Sequence, residues 1–416
     1  MSTSTLTGRA GAGPGSGPVV VTGLGVAAPN GLGAEEYWRA ALAGRSGIAP
    51  ITRFDPAGYS VRIAGQLDIE PKEHLPGRLL PQTDHMTRLA LIAAEEALAD
   101  AGADPEEMPA HAAGVVTAAS GGGFEFGQRE LEALWSKGGN HVSAYQSFAW
   151  FYPVNTGQVS IRHDLRGPGS ALVAEQAGGL DAISKAARNV RGGTALMLAG
   201  GVDGSLCPWS LVCMTKSGRL STVTDPDRAY LPFDAAASGH VPGEGGALLV
   251  LEARAAARER GARVLGEIAG YAATFDPRPG SGREPGLRRA IDLAFADARV
   301  TAADVDVVFA DAVGVPDLDR IEAAVLAAVF GPRGVPVTAP KSLTGRLLGG
   351  GAPLDVASAL LALRDGVIPP TAAAVDCAYA DAIDLVTGEP REAALGTALV
   401  VARGYGGFNS ALVVRR

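Results

Sequence analysis

Two patterns of apolar and polar positions alternate along the chain. Short apolar blocks bounded by glycine read as buried strands: "VVVTGLG" from Val19, "AAGVVTAAS", "TALMLAGG", "GALLVLEA" and "DVDVVFAD". Between them, apolar residues recur at three- and four-residue spacing. "AEEYWRAALAG", "DHMTRLALIAAEEALADAG", "EPGLRRAIDLAFADA" and "PDLDRIEAAVLAAVFG" predict amphipathic helices, several of them ended by glycine. This alternation predicts parallel strands covered by helices. "RVLGEIAGYAAT" starts a second half in the same style, and "GTALVVARGYGGFNSALVVRR" predicts two strands about a glycine turn. "GGLDAISKA" and "APLDVASAL" each open a helix after glycines. Either a duplicated α/β unit or chance matching in an alanine-rich chain accounts for that echo.

One junction carries candidate chemistry. "SALVAEQAGGLDAI", Ser170 to Ile183, reads as a short strand, a tight elbow and the start of a helix. Such an elbow points one side chain and the free N–H groups of a helix terminus into one pocket. A Cys or Ser nucleophile is expected there, and the residue is Gln176.

Composition narrows the function classes. A chain of 416 residues with 47% hydrophobic residues is long enough for a large core. Its net charge is −8 and no basic patch stands out, which excludes nucleic acid as a partner. The three cysteines, Cys207, Cys213 and Cys377, form no CxxC pair, and a reducing cytoplasm fits them best. Histidine spacing offers no metal site, and no apolar run approaches a membrane span. The first 17 residues are rich in Gly and Pro and lack the apolar segment of a signal peptide, so they are expected to be a disordered tail.

Four stretches in order along the chain carry a resemblance: the elbow, "PFDAAASGHVPGEGGALLVLE" (Pro232 to Glu252), "PKSLTGRLLGGGAPLD" (Pro340 to Asp355) and "GYGGFNSALVV" (Gly404 to Val414). Together they resemble the β-ketoacyl synthases of the thiolase superfamily, over nearly the whole chain from Val19 onward. The resemblance implies a thiolase-like α/β fold, with two duplicated halves in a five-layer α-β-α-β-α sandwich. The halves are expected at 18–255 and 256–416, with the break between Glu252 and Arg263.

Ketosynthases of this type use a cysteine and two histidines. The matching positions hold Gln176, Asp311 and Arg346, while Lys341, Gly314, Asp319 and Glu322 keep the alignment in register. Glutamine forms no thioester, a carboxylate lacks the hydrogen bonding of a neutral imidazole, and arginine stays charged. The pattern, above all "VAEQAGGLDA", resembles the chain length factor of type II (aromatic) polyketide synthases. That resemblance implies a heterodimer with an active ketosynthase α subunit. It also implies an acyl carrier protein that delivers malonyl units and the growing polyketide on its phosphopantetheine arm. The heterodimer is then an acyltransferase, and this chain by itself is not expected to be acylated or to condense malonyl units. No cofactor is expected. Two other readings stay open: a divergent stand-alone ketosynthase or malonyl-thioester decarboxylase, and a purely structural partner with no influence on product length.

Each candidate residue has two readings. Gln176 either binds a malonyl carboxylate or thioester carbonyl and aids decarboxylative priming, or fills a leftover pocket. Asp311 and Arg346 are expected to pair across the former active site and plug it. Tyr405 matches a gating phenylalanine, and Cys207 and Cys213 read as small buried hydrophobes. Phe124, Gly127 and Leu131 stand at i, i+3 and i+7 of "FEFGQRELEALW", on one helix face. The resemblance implies that this face ends the polyketide tunnel; close helix packing is the alternative reason for Gly127. With glycine and leucine there, side-chain volume points to about ten or more acetate-derived units in the product. The aromatic run "YQSFAWFY" is expected at an interface or a tunnel wall, and "SALVA" at the heterodimer axis.

Overall fold

Each half of the chain repeats one strand order. The computed structural model describes residues 17–278, 280–372 and 376–416, so all of the expected tail except Gly17 lies outside the described residues. The first half contributes β1 (Val19–Ala28), β2 (Ala113–Ala118), β3 (Gly169–Leu172), β4 (Leu196–Asp203) and β5 (Gly245–Ala253), arranged β1-β5-β4-β2-β3. The second contributes β6 (Gly266–Phe275), β7 (Val307–Phe309), β8 (Pro336–Thr338), β9 (Thr397–Arg403) and β10 (Phe408–Arg415), arranged β6-β10-β9-β7-β8. In both, the first two pairings are antiparallel and the last two parallel. A two-residue strand at Asp384–Leu385 extends the second sheet beyond β8.

The helices supply the other layers. α1 (His85–Ala101) packs on β1 and β5, outside the first sheet. α2 (Phe124–Lys137) follows the carboxyl end of β2. α3 (Gln176–Arg191) follows β3, and the short α4 (Pro208–Thr215) follows β4. α5 (Leu287–Ala298) covers β6 and β10, with α6 (Pro316–Phe330) beside it. α7 (Gly351–Asp365) packs against α3, and both touch the two sheets. Every residue of α7 from Gly351 to Leu363 is buried, as a helix enclosed on all sides requires. The order is helix, sheet, helix, sheet, helix, the five-layer thiolase-like arrangement. The sheets are not separate, however. Val20 pairs with Glu267 and Val21 with Gly266, so hydrogen bonds run from one sheet into the other along one edge.

The paired sequences "GGLDAISKA" and "APLDVASAL" are the matching turns of α3 and α7 at the centre of the molecule. Their contact depends on one glycine: a Cβ on Gly179 would stand 2.2 Å from Pro353 Cδ. Leu180 and Leu354 enter the core from these helices, each worth about 1.5–3 kcal/mol when fully buried. α1 opens on Asp84, whose carboxylate accepts the Met86 N–H, and closes on Gly102 in the left-handed region. Among the described residues, no helix is long and apolar enough to cross a membrane.

Candidate functional site

Asp311 and Arg346 meet where the elbow that carries Gln176 faces the loops after β7 and β8. The strained residue of the elbow is Glu175, not Gln176. Glu175 has φ 50° and ψ −135°, outside the regions open to side-chain-bearing residues at low energy. Its carboxylate accepts Arg346 Nε at 2.9 Å and the Tyr405 N–H at 2.6 Å. Gln176 is the first residue of α3 and is fully buried. Its amide turns inward over Gly351, where a Cβ would lie 2.5 Å from Gln176 Oε1. Neither amide atom of Gln176 has a hydrogen-bond partner. The side chain expected to point into the pocket is thus enclosed against Gly351, and its acidic neighbour Glu175 is the one that binds Arg346.

Arg346 fills the centre. Beyond Glu175, it binds Asp311 Oδ1 at 3.2 Å and the Arg403 carbonyl at 2.5 Å. Arg346 and Asp311 are 3% and 1% exposed. Burial opposes ionisation of Arg346, but Asp311 and Glu175 hold its pKa well above the usual arginine value. Burial likewise works to raise Asp311, and the Arg346 and Lys341 charges hold it below the usual carboxylate range. Asp311 also accepts the Arg403 N–H at 2.9 Å. Glu322 accepts the N–H groups of Asp311 and Ala312 and fixes that loop. Asp319 does the same for Phe233 and Gly314. Lys341 pairs with Asp355 at 2.8 Å and donates to the Ala310 carbonyl.

The titratable groups of this cluster are shifted by burial and held by fixed partners. Burial, with Arg346 beside it, drives the His240 pKa down to about 3. Burial drives the Tyr230 hydroxyl well above its usual value, and that hydroxyl donates to the Ala312 carbonyl. Burial, with Asp311 nearby, lifts Glu322 to about 7, but both its oxygens are occupied by backbone N–H groups. Cys207 precedes α4 and is buried as expected, and burial pushes its thiol up to about 11; Cys213 is exposed on α4, not the buried hydrophobe expected there. Among the described residues, no group of three or more His, Cys, Asp or Glu is placed to hold a metal ion.

A second region has the opposite character. On α2, Phe124 stacks against Trp209 with ring centroids 4.7 Å apart. Gly127 is buried: a Cβ there would stand 3.4 Å from both Trp150 Cβ and Trp209 Cζ3. A methyl group at Gly127 would thus make ordinary contact with Trp150 and Trp209, and larger side chains would meet them. Leu131, one turn further, is 37% exposed, and Trp135, four residues on, is 82% exposed. Tyr145, Phe148, Phe151 and Tyr152 are also exposed, as is Val173 beyond β3. Among the described residues β3 pairs with β2 alone, so its other edge presents unpaired backbone groups. Exposed apolar side chains and free strand edges are both features of interaction surfaces.

Sequence reasoning missed Glu175, Trp209 and Asp84, which caps α1; Trp150 lies in the aromatic run expected at an interface or tunnel wall. Glu175 stands in the elbow motif itself. Trp209 follows a proline that opens a helix, the signal available for it.

The family profile of the β-ketoacyl synthase N-terminal domain matches residues 16–257, and that of the C-terminal domain matches residues 265–374. The chain is 64% identical over 402 residues to the tetracenomycin polyketide synthase ketoacyl synthase beta subunit of Streptomyces glaucescens, covering 96% of this chain and 98% of that protein. Its fold matches the ishigamide ketosynthase/chain length factor with a TM-score of 0.86 and 28% identity, over 96% of this chain and 99% of that one. It also matches a ketosynthase chain solved in complex with its type II polyketide synthase acyl-carrier protein and bound to the hexaketide, with a TM-score of 0.85 and 26% identity over 96% and 99% of the two chains. An enclosed glutamine at the start of α3, with Arg346 and Asp311 paired beside the elbow, thus sits in a chain that belongs to the β-ketoacyl synthase family, among the ketoacyl synthase beta subunits or chain length factors of type II polyketide synthases.

Proposed function

We propose that this chain pairs with an active ketosynthase, completes the polyketide tunnel and sets the length at which chain growth stops, without performing chemistry of its own. The observation that carries this reading is Arg346, buried between Asp311 and Glu175 beside an enclosed Gln176. A pocket filled by an obligate cation and its two counter-ions has no space for an acyl thioester. What remains open is the α2 face and the apolar surface around it. The free edge of β3 and the exposed aromatics from Tyr145 to Tyr152 fit the ketosynthase α subunit. Phe124, Gly127 and Leu131, backed by Trp150 and Trp209, form the tunnel floor. The substrate is a malonyl or polyketide chain on the phosphopantetheine of an acyl carrier protein, and the work takes place in the cytoplasm. The halves at 18–255 and 256–416 act as one unit.

A second reading rests on the unpartnered amide of Gln176: an aid to decarboxylative priming. Its enclosure speaks against that role, and Gln176→Ala is expected to leave product yield unchanged. The leading reading is tested by co-expression with the cognate ketosynthase and carrier protein, followed by mass spectrometry of the polyketide. Leu131→Trp shortens the product if α2 is the floor. Parental length from a well-assembled Leu131→Trp heterodimer overturns the length-setting role.

A further inference from the structure

α2 begins without a cap of its own. Its N-cap is Gly123, which has no side chain to accept the helix's first N–H groups. The acceptor comes from elsewhere: Asp84 Oδ2 accepts the Phe126 N–H at 2.8 Å. The other oxygen of the same carboxylate accepts the Met86 N–H at 2.9 Å and caps α1. Asp84 is 2% exposed, and Phe126 is 1% exposed. Gly123 permits the approach, since a Cβ there would stand 2.9 Å from Asp84 Cβ and 2.2 Å from the Ala149 carbonyl oxygen. One carboxylate thus bridges the N-termini of two helices.

The two helices differ in what holds them. α1 lies on β1 and β5 and is part of the core. The other side-chain ties of α2 run to the start of α4, through Gln128 and the Trp209 N–H, to the surface loop at Ser143, through Glu130, and to Arg53, through an ion pair of Glu125 at 3.6 Å. Among these side-chain hydrogen bonds, the one from Asp84 reaches a helix lying on the sheet. Phe126 sits between Phe124 and Gly127, so a shift at its amide moves the face that both residues share.

We propose that Asp84 is the positioning residue of the length-setting helix: its shared carboxylate transmits the location of α1 to the α2 face that ends the tunnel. This rests on the floor reading given above. The groups around the carboxylate are Glu125 on α2, and His85 and Arg88 on α1.

The test separates the two hydrogen bonds. Asp84→Ser keeps a good N-cap for α1, but one hydroxyl oxygen is too short to reach Phe126 as well. Asp84→Asn keeps the shape with a single acceptor oxygen, and it stands in if the serine chain does not assemble. Each heterodimer is reconstituted with its ketosynthase and carrier protein, and the product lengths are read by mass spectrometry. Hydrogen exchange is followed over α1 and α2. Roughly tenfold more off-length product is expected, with roughly tenfold faster exchange at the start of α2 and none of that change in α1, the population change that follows loss of one charge-assisted hydrogen bond. A residue that merely caps α1 leaves both readouts as in the parent with Asp84→Ser. Parental product lengths from the assembled variant overturn the proposal, whatever the exchange shows. Leu131→Trp, run alongside, tells which statement has failed. If it still shortens the product, the floor stands and the role of Asp84 falls; if it too gives parental length, both fall.

Discussion

The pocket around Arg346 and the exposed face of α2 both sit at the carboxyl ends of strands, and they are built in opposite ways. The pocket is closed by charge. Every group that replaces a ketosynthase catalytic residue is buried, and its ionised groups are matched by an opposite ion or a backbone hydrogen bond. The α2 face is built from rings and one glycine, with Leu131 and Trp135 in solvent. Charge compensation holds the elbow in its strained conformation, while apolar surface on and around α2 is left exposed.

The largest effect is expected from breaking the pocket's balance. Arg346→Ala strands the Asp311 and Glu175 carboxylates and is expected to destabilise the fold by about 3–5 kcal/mol, as read from the denaturation midpoint. Neutralising all three, with Arg346→Met, Asp311→Asn and Glu175→Gln, is expected to recover most of that loss. A parental midpoint for Arg346→Ala would remove the pocket's structural role.

Next come the substitutions that separate depth from exposure on α2. Gly127→Phe must displace Trp150 or Trp209 and is expected to cost about 1–3 kcal/mol of stability as well as shorten the product. Leu131→Trp, at a partly exposed position, is expected to stay within about 0.5 kcal/mol while shortening the product too. Equal stability losses would contradict the burial difference between the two positions.

Much of this was legible in the chain before any coordinates. The alternation of "VVVTGLG"-type blocks with helical periodicity marks the layers, and the echo of "GGLDAISKA" in "APLDVASAL" lies at the crossing of α3 and α7. Gln176, Asp311 and Arg346 could be singled out because motif order is a one-dimensional property, and the structure pairs the last two. The rest depends on three-dimensional relations that order does not encode. Glu175 takes the elbow's strained place because of a backbone angle, which moves the outward side chain by one residue. Trp150 and Trp209 cover Gly127 from segments 23 and 82 positions away. Asp84 caps α2 across 42 residues, so no local capping pattern announces it. The join of β1 to β6 is likewise a pairing of strand ends, with no pattern of its own.

The smallest effect is a pH slope, and it belongs to the pocket side. Burial, opposed by the Phe233 N–H, lifts Asp319 from an ordinary 3.8 to about 7. At Asp319 the folded chain therefore binds more protons than the unfolded chain across that window. Stability is greatest at its low end and falls as pH rises through about 7. Glu322, raised to about 7, and Asp84, raised to about 6, act in the same direction. Melting temperatures between about pH 5 and about pH 8 should show this fall, and Asp319→Asn should reduce the slope without abolishing it. An unchanged slope would mean that Asp319 does not titrate in the fold.

The central claim is that the sealed pocket carries out no chemistry while the partner's does. Intact-protein mass spectrometry of the reconstituted heterodimer, after incubation with malonyl- and acyl-carrier thioesters, tests it most directly. The expected result is an acyl mass added to the ketosynthase subunit alone, with this chain at its unmodified mass. A stable acyl adduct on this chain, at Cys207, Cys213 or any other residue, would contradict it.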